Sequence, residues 1–194
     1  MFHTKSLIQM AMMATLLVVL GFIPALPLGF IPVPIVLQNL GVMMAGVILG
    51  GRKGSLSILL FFLVGLVIPV FSGLRSTIPV LTGPTAGYVI AWLFVPLLIS
   101  YGVKLVNKKN FIAIFLIVWL AGVLFVDVAG AVWLASYTNI PLDKSLLQNL
   151  VFIPGDTIKA IIAAVVAVKY KDSFFLTENN QDCYILDGLV NLKI

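Results

Sequence analysis

Six apolar stretches, each nearly free of charge, fill most of this 194-residue chain and narrow the environments in which it can fold. They run from Ser6 to Ile23, Ile35 to Leu49, Ser55 to Phe71, Pro84 to Val103, Phe111 to Trp133 and Pro154 to Lys169. A bilayer core needs about 20 apolar helical residues to cross it. Within it, a helix satisfies its own backbone hydrogen bonds. Charged residues make up 10% of the chain, against about 25% in soluble domains. The expected fold is therefore an all-α integral membrane protein with six transmembrane helices. Residues 1–171 form the membrane domain, and the polar stretch 172–194 reads as a cytoplasmic tail. The first apolar run carries no small-residue cleavage pattern and reads as an uncleaved span.

Basic residues orient these spans. Lys5 precedes the first, Arg52 and Lys53 join the second and third, Lys104, Lys108 and Lys109 join the fourth and fifth, and Lys169 and Lys171 close the sixth. The remaining connections carry only Arg75 and Lys144. The excess of positive charge on one side places both termini in the cytoplasm. The start of the sixth span, Arg75 and the Gly83-Pro-Thr-Ala-Gly-Tyr88 turn then share the outer side. Such convergence favours a site that captures a solute from outside.

Asp156 and Lys159 stand out within Phe152-Ile-Pro-Gly-Asp-Thr-Ile-Lys-Ala160. A charge at the centre of a membrane helix is unfavourable by about 2.5–3.5 kcal/mol on insertion scales. Three positions apart, the two side chains lie on one helical face. They can lock helix packing as an ion pair or grip a ligand together, and apolar contacts lock packing more simply. Enzymatic signatures are missing. His3 and Cys183 are the only histidine and cysteine, so no metal site or cofactor is expected. Gly50-Gly-Arg-Lys-Gly-Ser55 lacks the spacing of a phosphate-binding loop. Uphill transport would need a partner to hydrolyse ATP.

Four stretches resemble the BioY family, the biotin-specific substrate-binding (S) components of energy-coupling factor transporters. They are Ile31-Pro-Val-Pro-Ile-Val-Leu-Gln-Asn-Leu40, Gly65-Leu-Val-Ile-Pro-Val-Phe-Ser-Gly73, Leu81-Thr-Gly-Pro-Thr-Ala-Gly-Tyr88 and the segment around Asp156. The resemblance implies a subunit of the cell membrane that binds biotin near its outer face. Its implied partners are a transmembrane coupling protein and two cytoplasmic ATPases. It further implies that Asp156 and Lys159 hold the ring system of biotin. An ionised carboxylate accepts the ureido N–H groups, and an ammonium donates to the ureido carbonyl.

Arg75 is the candidate for the ligand's carboxylate, which a guanidinium can hold with two bonds. Thr85 and Tyr88 are further candidates for contact. Gln38 and Asn39 either touch ligand or bridge helices. Asp127 is expected either to pair with Lys159 or a backbone amide, or to touch ligand directly, and Val33, Leu66, Phe71 and Trp133 to wall a pocket. The resemblance also points to small residues on the first helix, Ala11, Ala14 and Thr15, as a docking face for the coupling protein. Alternative functions are an S component for another vitamin and an independent proton-coupled carrier that uses Asp127 and Asp156.

Overall fold

The computed structural model describes residues 4–29, 31–106 and 110–169. His3, Lys108, Lys109, Lys171, Cys183 and the expected tail at 172–194 lie outside the described residues. Regular structure among the described residues is helical, apart from two isolated bridges, Leu26 with Ile35 and Phe71 with Arg75.

The first three apolar runs form α1 (Thr4–Gly21), α2 (Gln38–Leu49) and α3 (Gly51–Val67). Gly50 alone connects α2 to α3, with φ of 75°. Glycine adopts this left-handed geometry without a Cβ clash, so the chain reverses with no longer loop. The connection after α3 contains a short helix, α4 (Thr77–Leu81), where the sequence predicts only a loop.

The fourth run is not one straight helix. α5 (Ala86–Trp92) and α6 (Val95–Leu105) meet at 45°. Pro96 cannot donate back to the carbonyl of Trp92, and its ring crowds that turn, so the helix breaks there. The fifth run is α7 (Phe111–Trp119), a π-helical turn (Leu120–Leu124) and α8 (Phe125–Thr138). It ends at Asn139 in the left-handed region, whose N–H bonds Ala135 O. An amphipathic helix unforeseen in the sequence, α9 (Leu142–Asn149), then leads at 51° into α10 (Phe152–Lys169). α10 starts ahead of the expected Pro154. That proline lies in the first turn, where its missing N–H leaves no bond unmade.

Among the described residues, Thr4–Gly21 and Phe111–Thr138 are each long and apolar enough to cross a membrane, and the two bent pairs add two more if each is one crossing. Along α7 and α8, Ile112, Leu116, Leu120, Leu124, Val128 and Val132 point outward at four-residue spacing. Such a stripe suits lipid and would be unfavourable in water.

Inside, α2 packs against α1, α3, α6 and α10. Leu17, Met43, Ile58, Phe61 and Ile99 are fully buried between these helices. α5 crosses α8 closely because glycine stands at the crossing on each side: Gly87 faces Trp133, and Gly130 faces the ring of Tyr88. A Cβ at either position would collide with that ring system. Small residues let membrane helices approach in this way.

The expected docking face on α1 is only partly exposed. Ala11 and Thr15 point outward, with Thr15 Oγ1 donating to Ala11 O at 2.9 Å. Ala14 is a correction: it is buried in the core beside Leu17. Helical rotation of 100° per residue carries it off the face that the other two share.

Candidate functional site

One cavity gathers residues from all four sequence stretches singled out above. The loop after α1 returns on itself through paired backbone bonds between Leu26 and Ile35, both 3.0 Å. That places Val33, Pro34, Ile35 and Val36 on one wall. Phe71, Ser72 and Arg75 form a second wall, shaped by the Phe71–Arg75 bridge and by Gly73 and Leu74 at positive φ. Thr85, Tyr88, Val89 and Trp92 come from α5, and Val126 and Asp127 from α8. Phe152 and Asp156 of α10 complete it.

Aromatic rings supply the apolar body of the cavity. Phe71 meets Phe61 edge-on at 4.8 Å and stacks with Trp92 at 6.5 Å, while Tyr88 meets Phe152 edge-on at 6.1 Å. Val33 and Phe71 are wall residues as expected, whereas Leu66 and Trp133 are not. Leu66 faces outward from α3, and the Trp133 indole donates to Gly83 O at 3.0 Å. Their hydrophobicity left their direction open, and helix rotation decided it.

The polar end is built around Asp156. Lys159 Nζ donates to Asp156 Oδ1 at 2.6 Å and to Val36 O at 2.7 Å. Asn39 Nδ2 donates to Asp156 Oδ2 and to Gly122 O, both at 3.2 Å. Gly122 lies within the π turn. Such a turn interrupts the i→i−4 ladder, and the Gly122 carbonyl meets the Asn39 amide. Asp156 and Lys159 are both 7% exposed. Two charges so buried are unfavourable unless paired and hydrogen-bonded, and here they are both. Lys159 stands behind Asp156 and is not among the lining residues, so Asp156 is the member of the pair that faces the cavity.

Gln38 lines the cavity, yet its amide is engaged throughout. Its Nε2 donates to Leu17 O and Val70 O, both at 3.1 Å, and its Oε1 accepts from Ser72 N at 3.3 Å. It therefore ties α1, α2 and the Phe71 wall together, in line with the bridging alternative. Arg75 is exposed at the cavity's edge and makes no ion pair among the described residues. Thr85 Oγ1 donates to Val80 O at 3.4 Å.

Asp127 is the main departure from expectation. Its carboxylate pairs with neither Lys159 nor a backbone amide, because that ammonium is spent on Asp156 and Val36. Asn149 went unnoticed in the sequence. It accepts from Tyr88 Oη at 2.7 Å and donates to Asp127 O at 2.8 Å, which fixes the Tyr88 ring at the cavity. The spacing of 149, 152, 156 and 159 is helical in sequence, although Asn149 ends α9 and the other three lie on α10. Ser72, Trp92 and Phe152 are further lining residues that no motif weighed individually.

An all-helical body with an apolar exterior, enclosing a cavity with one charged end, is the build of a membrane solute-binding protein. Residues 1–175 match the model of the BioY family, and the chain belongs to that family. It is similar to the biotin transporter BioY of Lactococcus lactis subsp. cremoris, with 47% identity over 166 residues, covering 84% of this chain and 88% of the relative. The biotin transporter BioY of Rhizobium etli is 38% identical over 170 residues, covering 84% and 91%. The solved S-component for biotin from an ECF-type ABC transporter superposes with a TM-score of 0.81 at 45% identity, covering 87% of this chain and 91% of that one.

Proposed function

We propose that this chain is the biotin-binding S component of an ATP-driven importer, a transport subunit without an enzymatic reaction of its own. Its six apolar segments cross the cell membrane with both termini in the cytoplasm, and the cavity opens to the outer side. Biotin enters past the 31–36 loop with its ring system toward Asp156. That carboxylate accepts a ureido N–H. Lys159, behind the carboxylate, orients it toward the cavity through their ion pair. Phe71, Trp92 and Tyr88 pack against the thioether ring and valeryl chain. Arg75, exposed at the cavity's edge, takes the terminal carboxylate, with Thr85 also lining the cavity.

Transport then requires a transmembrane coupling protein and two ATPases. Ala11 and Thr15 offer α1 as the docking face, since Ala14 is withdrawn into the core. The tail at 172–194 lies on the cytoplasmic side and outside the binding domain.

The observation that carries this reading is the buried Asp156–Lys159 pair, with Asp156 facing a cavity walled largely by aromatic and aliphatic side chains, in a chain whose relatives are biotin transporters. Equilibrium binding of labelled biotin to the purified protein tests it. Wild type binds tightly, and Asp156→Asn loses about ten- to hundred-fold in affinity, the span of one hydrogen bond to a charged group. Equal affinity in both proteins removes Asp156 from the site, and no binding by either removes biotin.

A further inference from the structure

The cavity's hydrogen-bonding balance is one-sided. Three buried side-chain oxygens lack a partner among the described residues, and two of them, Asn39 Oδ1 and Asp127 Oδ2, belong to cavity-lining residues. Asp127 is 7% exposed and Asn39 is 4% exposed. A buried acceptor without a donor is unfavourable, more so when charged. Native structures rarely keep one unless a partner arrives from elsewhere.

The neighbouring protein donors are committed. Lys159 Nζ serves Asp156 and Val36 O. Asn39 Nδ2 serves Asp156 and Gly122 O. Asn149 Nδ2 serves the backbone carbonyl of Asp127, and Tyr88 Oη serves Asn149. Among the described residues no donor reaches Asp127 Oδ2, and a ligand N–H is a group that can supply one.

We propose that Asp127 is a ligand-contacting residue whose carboxylate accepts one N–H of the bound molecule, while Asp156 accepts another. The inference rests on the cyclic-urea reading above and sharpens it. A ring with an N–H on each side of a carbonyl presents one donor to each carboxylate. Two carboxylates make the site selective, because a ring that replaces either N–H with oxygen sets a lone pair against a negative charge. Discrimination of this kind, by a buried polar group left unpaired, exceeds what apolar walls can supply.

The test uses the full chain in lipid nanodiscs, with biotin and two cyclic carbamate analogues, each with a different ring N–H replaced by oxygen. Wild type binds biotin and rejects both carbamates. Asp127→Asn weakens biotin about ten- to hundred-fold. It binds one carbamate more tightly than wild type does, because the asparagine amide now donates to the ring oxygen, and it still rejects the other. Unchanged biotin affinity in Asp127→Asn overturns the proposal. So does an equal loss for all three ligands, which marks a structural role. If Asp127→Asn fails to fold, Asp156→Asn is read against the same pair. Relief for a single carbamate supports the assignment; relief for both gives Asp156 both N–H groups and overturns it. A wild type that ignores biotin refutes the earlier reading, whereas a wild type that binds it beside an indifferent Asp127→Asn refutes this one alone.

Discussion

The outer face of α7–α8 and the inner face of α10 both come from apolar runs, yet they treat polarity in opposite ways. The first presents Ile112, Leu116, Leu120, Leu124, Val128 and Val132 to the surroundings, with no polar atom among those side chains. The second turns Asp156 and Lys159 inward and surrounds them with Asn39, Val36 O and Gly122 O. The contrast teaches where specificity is stored. Lipid-facing positions tolerate any side chain that is apolar and of suitable size, because nothing outside them is ordered. Positions on the cavity are tied to one another, and a change at one leaves a partner stranded.

Lys159→Met should break the inner face most. It strands the Asp156 carboxylate, and removing one member of a buried pair destabilises by about 3–5 kcal/mol. Thermal unfolding in detergent, with and without biotin, measures both the loss of stability and the loss of ligand protection. A melting temperature within a degree of wild type would mean that the pair is not structural. Asn149→Ala comes next. It frees the Tyr88 hydroxyl and the Asp127 carbonyl, a loss of about 1–3 kcal/mol for groups left unsatisfied. It should weaken biotin binding as well, because Tyr88 is no longer fixed. Tyr88→Phe sharpens the result: it removes the same hydroxyl and should recover none of the lost affinity. The smallest effect belongs to the outer face. Leu116→Ala should shift stability by about 0.5 kcal/mol or less and leave biotin affinity unchanged. A loss as large as that of Asn149→Ala would mean that this stripe packs against protein rather than lipid.

Much of the site is legible along the chain. Asp156, Tyr88, Thr85, Gln38 and Arg75 are singled out from motifs and charge, and the structure brings all five to one cavity. Motifs bring residues to one cavity because each is a local run whose spacing sets a turn or a helical face. They fail for direction. Leu66, Trp133 and Ala14 differ from their true neighbours only by rotation about a helix axis, which packing alone sets. They fail also for allocation. Lys159 could pair with Asp127 or Asp156 on charge alone, and in the structure it bonds Asp156 and the Val36 carbonyl, the latter 123 positions away in sequence. The bends at Pro96 and between α9 and α10 escaped a reading that sums hydrophobicity, because a bend leaves hydrophobicity unchanged.

Taken alone, the order of residues determined that this chain is helical and membrane-seeking, and that Asp156 and Lys159 share one face near the start of the last apolar run. Those properties follow from the length of apolar runs and from helical periodicity, both of which are local. Only the tertiary structure decided that Asp127 Oδ2 meets no donor among the described residues, that Asn149 holds Tyr88, and that Lys159 stands behind Asp156. Hydrogen bonds join groups that meet in space, and Asn39 finds Asp156 across 117 positions of chain.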